Sequence, residues 1–310
     1  MSNATGFVVA IAGSEGVAGS IGDNGVDATT ALLNHPWGLV FDSRGHLYVS
    51  DNHNNVIRKM SSAGGGSYTI TTVAGVMGHY GYNCTNDGGG IIATSCLLNR
   101  PRGLAVDKND NIYIVDNGNN RIRMLKASNG KIITLVGNGD FGYAADGSIA
   151  VNGALNQPSD VALSGNDMYI TDSGNHVIRK VKLQGVSPTI STIAGQRRAF
   201  YSYSYSGDGG GAMWAQLSYP MGISIRKSSG DVFFSDYYNY RIRRIDKDGT
   251  IFSYIGNGTT GLVLMNQISA STDICFDRNG YLVVADTSNH VIRRVNDKFG
   301  VVESDVVIFD

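Results

Sequence analysis

One pattern of residues recurs five times along this sequence, and that repetition constrains the fold more than any other feature. Each copy contains an apolar run ending in Asp, with an Asn three residues later and an Arg seven residues later. The recurring residues are Asp51, Asp116, Asp172, Asp236 and Asp286, then Asn54, Asn119, Asn175, Asn239 and Asn289, then Arg58, Arg123, Arg179, Arg243 and Arg293. Such a fixed period indicates one structural unit repeated along the chain.

Each copy carries four short runs rich in Val, Ile, Tyr and Phe, separated by Gly, Asn and Asp. Such runs predict strands, and such separators predict tight turns. The 41 Gly against 5 Pro in 310 residues agree with many turns between short strands. Because the runs are apolar on both faces, they are typical of sheets buried between neighbouring sheets. Four antiparallel strands repeated radially form the blade of a β-propeller.

Two segments carry a resemblance to a known family. Residues 172–181 read Asp-Ser-Gly-Asn-His-Val-Ile-Arg-Lys-Val, residues 286–295 read Asp-Thr-Ser-Asn-His-Val-Ile-Arg-Arg-Val, and both resemble the NHL repeat. The pattern of Ala-Gly, Gly-Asp-Gly-Gly and a closing Pro in residues 193–220 is similar to the NHL region of teneurin-like proteins. The resemblance covers nearly the whole chain and implies an all-β propeller with four-stranded antiparallel blades. It does not specify a function, because propellers host many unrelated activities.

We predict a single propeller domain over residues 1–310 with five visible blades. The repeats begin near Pro36, Pro101, Pro158, Pro220 and Ser271. The run Val8–Gly13 matches the fourth, outer strand of a blade, although it precedes every first strand. Because residues 305–309 stand where the last repeat would have its own outer strand, a six-bladed propeller of which this chain is a fragment remains the alternative.

The repeated Asp, Asn and Arg are interpreted as scaffold, so a binding site is sought where the copies differ. The residues on either side of the Pro that opens each repeat differ from copy to copy and mix aromatic, cationic and polar types. Aromatic residues and Arg are enriched at binding hot spots. The predicted binding surface at the mouth of the central channel consists of Trp37, Arg102, Tyr219, Met221, His35 and Arg100.

A second candidate surface is aromatic. In residues 200–205 Tyr alternates with Ser, which places three Tyr on one face of an extended segment. The predicted patch consists of Tyr201, Tyr203, Tyr205, Tyr237 and Tyr238. The alternative is a hairpin extension whose Tyr side chains pack on the fourth blade.

An enzyme is the less favoured interpretation. Some propeller enzymes hold a metal ion in the channel, and Asp160 and Asp273 occupy a position that is Gly in the other copies. The positions after the opening Pro carry no His, and no nucleophile motif of the Gly-x-Ser-x-Gly kind has matching partners. We therefore predict no catalytic residue, metal ligand or cofactor. The sequence favours a non-catalytic scaffold that binds a protein or glycan as a module of a larger protein, with a metal-dependent hydrolase or lyase as the alternative.

Charge and cysteine content narrow the partners and the compartment. With 25 Lys and Arg against 26 Asp and Glu, nucleic-acid binding is disfavoured. RNA binding is a weaker alternative, for which Arg100, Arg102, Arg197 and Arg198 are the local candidates. No apolar run is long enough to span a bilayer. The compartment is undetermined, with a slight preference for the cell surface as part of a longer chain.

The three cysteines give two expectations. Cys84 and Cys96 flank one loop insertion, and the sequence allows either a disulfide or two free thiols there. Cys275 lies in the apolar run Ile274-Cys275-Phe276 and is expected to be a buried small hydrophobic residue.

Overall fold

The fold is a β-propeller with four-stranded antiparallel blades, as the sequence predicts. The computed structural model describes residues 10–14, 16–20, 22, 25–84, 90–196, 205–260, 267–296 and 301–303. These residues form five antiparallel sheets joined by short 3-10 turns and loops, without an α-helix. Nothing helical in this part of the chain has the length and apolar character that a membrane span requires.

The first two sheets each contain one blade of four strands and a short fifth strand from the preceding linker. The first sheet has the order β1-β5-β4-β3-β2, and the second has the order β6-β10-β9-β8-β7. Their strands are β1 (Val26–Asp27), β2 (Pro36–Phe41), β3 (Leu47–Asp51), β4 (Val56–Gly64), β5 (Ser67–Ala74), β6 (Ile91–Ile92), β7 (Pro101–Val106), β8 (Ile112–Asp116), β9 (Arg121–Leu125) and β10 (Lys131–Val136).

The remaining three sheets are simple meanders in which sequential strands pair, β11 to β14, β15 to β18 and β19 to β22. Their strands are β11 (Val161–Ser164), β12 (Asp167–Asp172), β13 (Val177–Lys182), β14 (Ile190–Ala194), β15 (Pro220–Ile225), β16 (Val232–Asp236), β17 (Arg241–Ile245), β18 (Ile251–Ile255), β19 (Asp273–Phe276), β20 (Leu282–Asp286), β21 (Val291–Asn296) and β22 (Val301–Glu303).

The chain groups into two compact units, Met1–Ile112 with Met124–Ile133, and Tyr113–Arg123 with Thr134–Asp310. In the first unit the first strands β2 and β7 of neighbouring blades lie against each other, and in the second unit β15 lies against both β11 and β19. One apolar cluster in the second unit joins Tyr169 and Ile178 of the third blade to Ile223 and Phe234 of the fourth. The core therefore lies between sheets, which explains why the strands are apolar on both faces.

The repeated Asp binds three parts of its own blade through hydrogen bonds and an ion pair. In the fourth blade, one oxygen of Asp236 accepts from the Ser218 backbone N–H at 2.7 Å, and the other accepts from Asn239 at 2.9 Å and from Arg243 at 3.1 Å. The corresponding Asp–Arg pairs in the other blades have N–O distances between 2.6 and 4.0 Å. The carboxylate thus fixes the segment before the first strand, the turn after the second strand and the third strand.

The repeated Arg extends this network to the linker that precedes its blade. Arg179 donates to the backbone carbonyl of Ala144 at 2.7 Å, and Arg243 donates to that of Ser206 at 3.2 Å. Both guanidinium groups are fully buried. Burial raises the pKa of Asp236 to about 6 against the lowering effect of Arg243, so the carboxylate is mostly ionised at neutral pH. A buried Arg of this kind has a structural role, as the repeat in the sequence predicts.

Three linkers between blades share one conformation. The fourth strand is followed by a Gly with φ near +90°, whose N–H donates to the carbonyl of a buried Ala that opens the 3-10 turn of the linker. The pairs are Gly75–Ala93, Gly137–Ala150 and Gly195–Ala212. Gly13 donates in the same way to Ala28 at 3.0 Å. Val8 and Val9, the start of the predicted stray strand, lie outside the described residues.

Cys84 and Cys96 form a disulfide at the neck of the second linker, with their Cα atoms 5.6 Å apart. Cys96 occupies the position held by Ala31, Gly153 and Ala215 in three other linkers, five residues before the opening Pro. In the first and fourth linkers the residue facing this position is a Gly, Gly22 or Gly207. A Cβ on either Gly would lie only 2.7 Å from the Cα of Ala31 or Ala215, so a larger side chain does not fit there. The second linker thus has a covalent bond where the others have a contact between small residues.

Cys275 is exposed, which corrects the expectation that it is buried. Successive residues of a strand face opposite sides. Ile274 faces the cluster between the fourth and fifth blades and is 4 % exposed, so Cys275 faces the other side of β19.

The first prediction concerns the buried Arg. Replacing Arg243 by Met leaves the buried Asp236 carboxylate without its cation, and we expect a loss of about 3–5 kcal/mol in the free energy of unfolding. The matched control is Arg244→Met, because Arg244 is the next residue of β17, is only half-buried and stacks on Phe252. Urea unfolding measures both variants. Equal losses in the two would show that Arg243 acts through its packing alone.

The second prediction concerns the disulfide. The double substitution Cys84→Gly and Cys96→Ala recreates the small pair of the first and fourth linkers. The fold should persist, while the free energy of unfolding falls by about 2–3 kcal/mol, as expected for a disulfide closing a loop of this length. Reductant should destabilise the wild type and leave the variant unchanged. Identical wild-type unfolding curves with and without reductant would contradict the bond.

Candidate functional site

The residue directly before each opening Pro has a left-handed backbone conformation. The rim residues are those directly before and after the Pro that opens a repeat, and we call the part of the blade that they form the rim. His35, Arg100, Gln157 and Tyr219 have φ between 47° and 55°. This region is unfavourable for residues other than Gly and Asn, and it persists only where neighbouring structure holds it.

A side chain of the preceding blade provides that hold. Asn55 accepts the N–H of Arg100, Asn120 accepts that of Gln157, and Nδ1 of His176 accepts that of Tyr219, at 2.9, 2.9 and 3.0 Å. Each acceptor is the left-handed residue that closes the 3-10 turn between the second and third strands. Arg100, Gln157 and Tyr219 are therefore each positioned by the turn of the preceding blade.

A second bridge reaches the opening Pro itself. Asn52 donates to the carbonyl of Pro101 at 2.9 Å, Asn117 to that of Pro158 at 2.7 Å, and Ser173 to that of Pro220 at 2.6 Å. These donors are the first residues of the same 3-10 turns. In the fourth blade, however, the two bridging positions are occupied by Tyr237 and Tyr240.

In the first unit, the rim residues His35, Trp37, Arg100 and Arg102 form a cationic cluster with His53 of the neighbouring turn. The His35 and His53 rings are 4.0 Å apart, and the Arg102 guanidinium lies 4.7 Å from the centre of the Trp37 ring. Burial lowers the pKa of His53, and the charges of His35 and Arg100 lower it further. Trp37 is 37 % exposed. This cluster presents positive charge and an aromatic ring to solvent.

In the second unit, the rim is aromatic. We call Tyr219, Tyr237 and Tyr238 the tyrosine cluster. The Tyr219 and Tyr238 rings are 5.8 Å apart, and the Tyr237 and Tyr238 rings meet edge to face at 4.8 Å. The Tyr219 hydroxyl donates to Gln157 at 3.1 Å, and Tyr238 is 40 % exposed. Two surfaces that the sequence treated separately, the mouth and the aromatic patch, therefore meet at Tyr219.

The other predicted site residues lie elsewhere. Met221 is buried, at 5 % exposure, so it offers little surface. Tyr205 stacks under the guanidinium groups of Arg241 and Arg243, and its hydroxyl lies 2.9 Å from that of Ser253 in the fourth strand of its blade. This position agrees with the alternative that Tyr205 packs on the fourth blade. Tyr201, Tyr203, Arg197 and Arg198 lie outside the described residues.

Two carboxyl groups approach each other across the first strand of the fourth blade. Asp160 accepts from the backbone N–H groups of Val161 at 2.8 Å and Ile223 at 2.9 Å. Gly222 makes room between the strands, because a Cβ there would lie 2.6 Å from the Cα of Asp273. Burial raises the pKa of Asp160 well above its usual range, with the charge of Asp273 as a further cause. Burial also raises the pKa of Asp273 to about 6.

Metal binding needs more ligands than this pair supplies. In the part of the chain that the structure describes, no three His, Cys, Asp or Glu residues are grouped to hold a metal ion. The backbone N–H bonds of Asp160 give its carboxyl a structural function across two blades.

Sequence reasoning placed Gln157 beside an opening Pro, but it missed that His53 and His176 contact the rim residues. His53 and His176 belong to the turn after the second strand, which was expected to lie away from the ligand surface. The signal was present in the repeat itself: His176 stands where Asn55 and Asn120 stand in earlier copies, at a position that favours the left-handed conformation.

The third prediction is a pH dependence at His176. Its Nδ1 accepts the Tyr219 N–H and burial lowers its pKa, so the unfolded chain binds this proton more readily than the folded chain. Stability should therefore fall as pH drops from the ordinary His value of about 6.5 towards the lowered folded value. Asn accepts the equivalent bond in two other blades, so His176→Asn should remove this part of the pH dependence. Thermal melts at a series of pH values test it, and parallel curves for the two proteins would contradict it.

Comparisons with known proteins agree with this architecture. The NHL repeat family matches residues 33–60 and 98–124. The protein SUPPRESSOR OF QUENCHING 1, chloroplastic, of Arabidopsis thaliana is 27 % identical over 90 % of this chain, and human NHL repeat-containing protein 2 is 25 % identical over 85 %. Mouse teneurin-1 is 26 % identical over 73 %. The matches span only 27 %, 39 % and 8 % of these three relatives.

Solved structures share the fold at low sequence identity. An auxiliary nutrient binding protein from Bacteroides ovatus matches with a TM-score of 0.60 and 18 % identity, covering 86 % of this chain and 60 % of its own. A gluconolactonase from Xanthomonas campestris matches with a TM-score of 0.54 and 16 % identity, covering 87 % and 75 %. At such identities the likeness shows the fold alone. Two segments of the chain thus match the NHL repeat, and the described residues form the four-stranded antiparallel blades of a β-propeller.

Proposed function

We propose that this propeller is a non-catalytic binding module whose rim residues contact a protein or glycan ligand. It would act as one part of a larger protein, since the match covers only 27 % of SUPPRESSOR OF QUENCHING 1 and 39 % of human NHL repeat-containing protein 2. The observation that carries the proposal is the tyrosine cluster of the fourth blade.

Tyr237 of the cluster and the nearby Tyr240 replace residues that elsewhere hold blades together. Tyr237 and Tyr240 stand at positions from which Asn, Ser or His side chains bridge to the next blade. Tyr240 also has a left-handed backbone, with φ 52°, where Asn is the less strained choice. In the fourth blade, two positions whose side chains elsewhere stabilise the contact between blades are therefore occupied by Tyr. Such an exchange is expected where the side chain serves a ligand rather than the fold.

The exposed groups suit a broad and partly polar ligand surface. Tyr offers a large apolar face, a hydroxyl for hydrogen bonding and a low cost in conformational entropy. Trp37 with Arg102 provides a second aromatic site with positive charge. Trp, Tyr and Arg are the residue types that dominate binding energy at interfaces.

The alternative is a metal-dependent hydrolase or lyase, favoured by Asp160 and Asp273 and by the enzymes among the structural neighbours. A virginiamycin B lyase from Staphylococcus aureus shares the fold at 15 % identity, with a TM-score of 0.52 and coverage of 88 % of this chain and 70 % of its own. Metal analysis of the purified protein separates the two functions. Stoichiometric metal that is lost in Asp160→Asn with Asp273→Asn would favour the enzyme.

The fourth prediction tests the rim. Ligands are first captured from cell extract and on a glycan array with the immobilised wild type, and the affinity of each captured ligand is then measured. Tyr238→Ala or Trp37→Ala should weaken binding about tenfold or more, as truncation of a hot spot does. Lys247→Ala is the control, because Lys247 is exposed in the turn between β17 and β18. Affinities unchanged in both rim variants would remove the rim as the binding surface.

A further inference from the structure

A pocket of about 570 Å³ lies at the ends of the first strands of the fourth and fifth blades. The rim residues stand at the beginning of these strands, and the pocket stands where the strands finish. Ile225 and Phe276 form part of its wall, and the turns that follow them provide Arg226, Lys227 and Arg278. Its volume is within the range of sites that bind small organic molecules, about 300–1,000 Å³.

Arg226, the residue directly after the first strand of the fourth blade, differs from the residue that most other blades have at this position. In three blades the residue after the first strand is an Asp whose carboxylate accepts two backbone N–H groups of the following turn. Asp42 accepts from Arg44 and His46, Asp107 from Asn109 and Asn111, and Asp277 from Asn279 and Tyr281, all between 2.9 and 3.0 Å. The fourth blade has a cation where these blades have an anion that stabilises the turn.

The Arg226 side chain is held in a fixed place by aromatic rings. Its guanidinium carbon lies 4.6 Å from the centre of the Phe233 ring, 5.2 Å from that of Phe276 and 5.7 Å from that of Tyr254. It also donates to the Tyr254 hydroxyl at 3.2 Å. A guanidinium that is already ordered loses little further entropy when it binds an anion, and its planar fork suits two oxygens at once.

The charges that line the pocket favour an anion. Arg226, Lys227 and Arg278 face a single lining carboxylate, that of Asp277. One oxygen of Asp277 is already engaged by the two N–H groups of its own turn. Three cations against one engaged carboxylate leave an excess of positive charge beside the apolar surface of Ile225 and Phe276.

We propose that this pocket binds a small organic anion, whose phosphate or carboxylate group is held by Arg226, Lys227 and Arg278 while its apolar part contacts Ile225 and Phe276. Arg guanidinium groups bind both kinds of oxyanion in the same bidentate geometry. The site is separate from the rim, so its failure leaves the proposed binding of a protein or glycan untouched.

Isothermal titration provides a direct readout of binding at this pocket. Phenyl phosphate and benzoate are the probes for the two oxyanions, and phenol is the neutral probe.

The fifth prediction is that phenyl phosphate, benzoate or both bind saturably in isothermal titration, whereas phenol does not, and the anion that binds more tightly identifies the oxyanion class. Arg226→Lys keeps the charge but loses the fork, and Lys227→Ala with Arg278→Ala removes two exposed cations without disturbing the core. Each should weaken binding at least tenfold.

The matched control is Arg44→Ala, an exposed cation in the equivalent turn of the first blade, which should leave the affinity unchanged. The proposal is overturned if neither anion binds more tightly than phenol, or if the affinities are the same in wild type and in the Lys227→Ala, Arg278→Ala variant. The double variant touches only exposed side chains, so a loss of binding there is not a loss of fold.

Discussion

The buried carboxylate at the end of each second strand is the constraint on which the rest of the structure depends. A carboxylate and an Arg in this interior are costly to desolvate, and they persist because each has several partners. Asp236 joins the segment of Ser218, the turn of Asn239 and the strand of Arg243. Since Arg243 also contacts the preceding linker, one network determines how each blade is connected to the chain before it.

Once this network sets the scaffold, the places where the repeat changes become informative. The second linker has a disulfide in place of a small pair, the fourth blade has Tyr237 and Tyr240 in place of bridging residues, and Arg226 replaces a turn-stabilising Asp. The first change strengthens a long linker. The other two give up local hydrogen bonds, which is expected at binding sites, where local stability is exchanged for contact with a ligand.

The sequence predicted the blades and the scaffold role of the repeated residues, because strand periodicity and turn chemistry are local properties. It also placed Trp37, Arg102 and Tyr219 directly beside the Pro that opens a repeat. It did not predict that His176 holds Tyr219 or that Tyr219 meets Tyr238, because those contacts depend on a left-handed backbone and on the reach of side chains between blades. The exposure of Cys275 was missed because an apolar run does not reveal which face of a strand is covered.

Amide hydrogen exchange tests the central claim most directly. The N–H groups of Asn34, Asn156, Ser218 and Ser269 each donate to the repeated Asp of their blade, at 2.7–2.8 Å. Although they lie in loops, we predict that they exchange as slowly as the central strand amides of Ile57 and Ile242, because they open only when the blade unfolds. Exchange as fast as that of exposed turns such as Gly249 would contradict the account, since the carboxylate would then not hold the blade together.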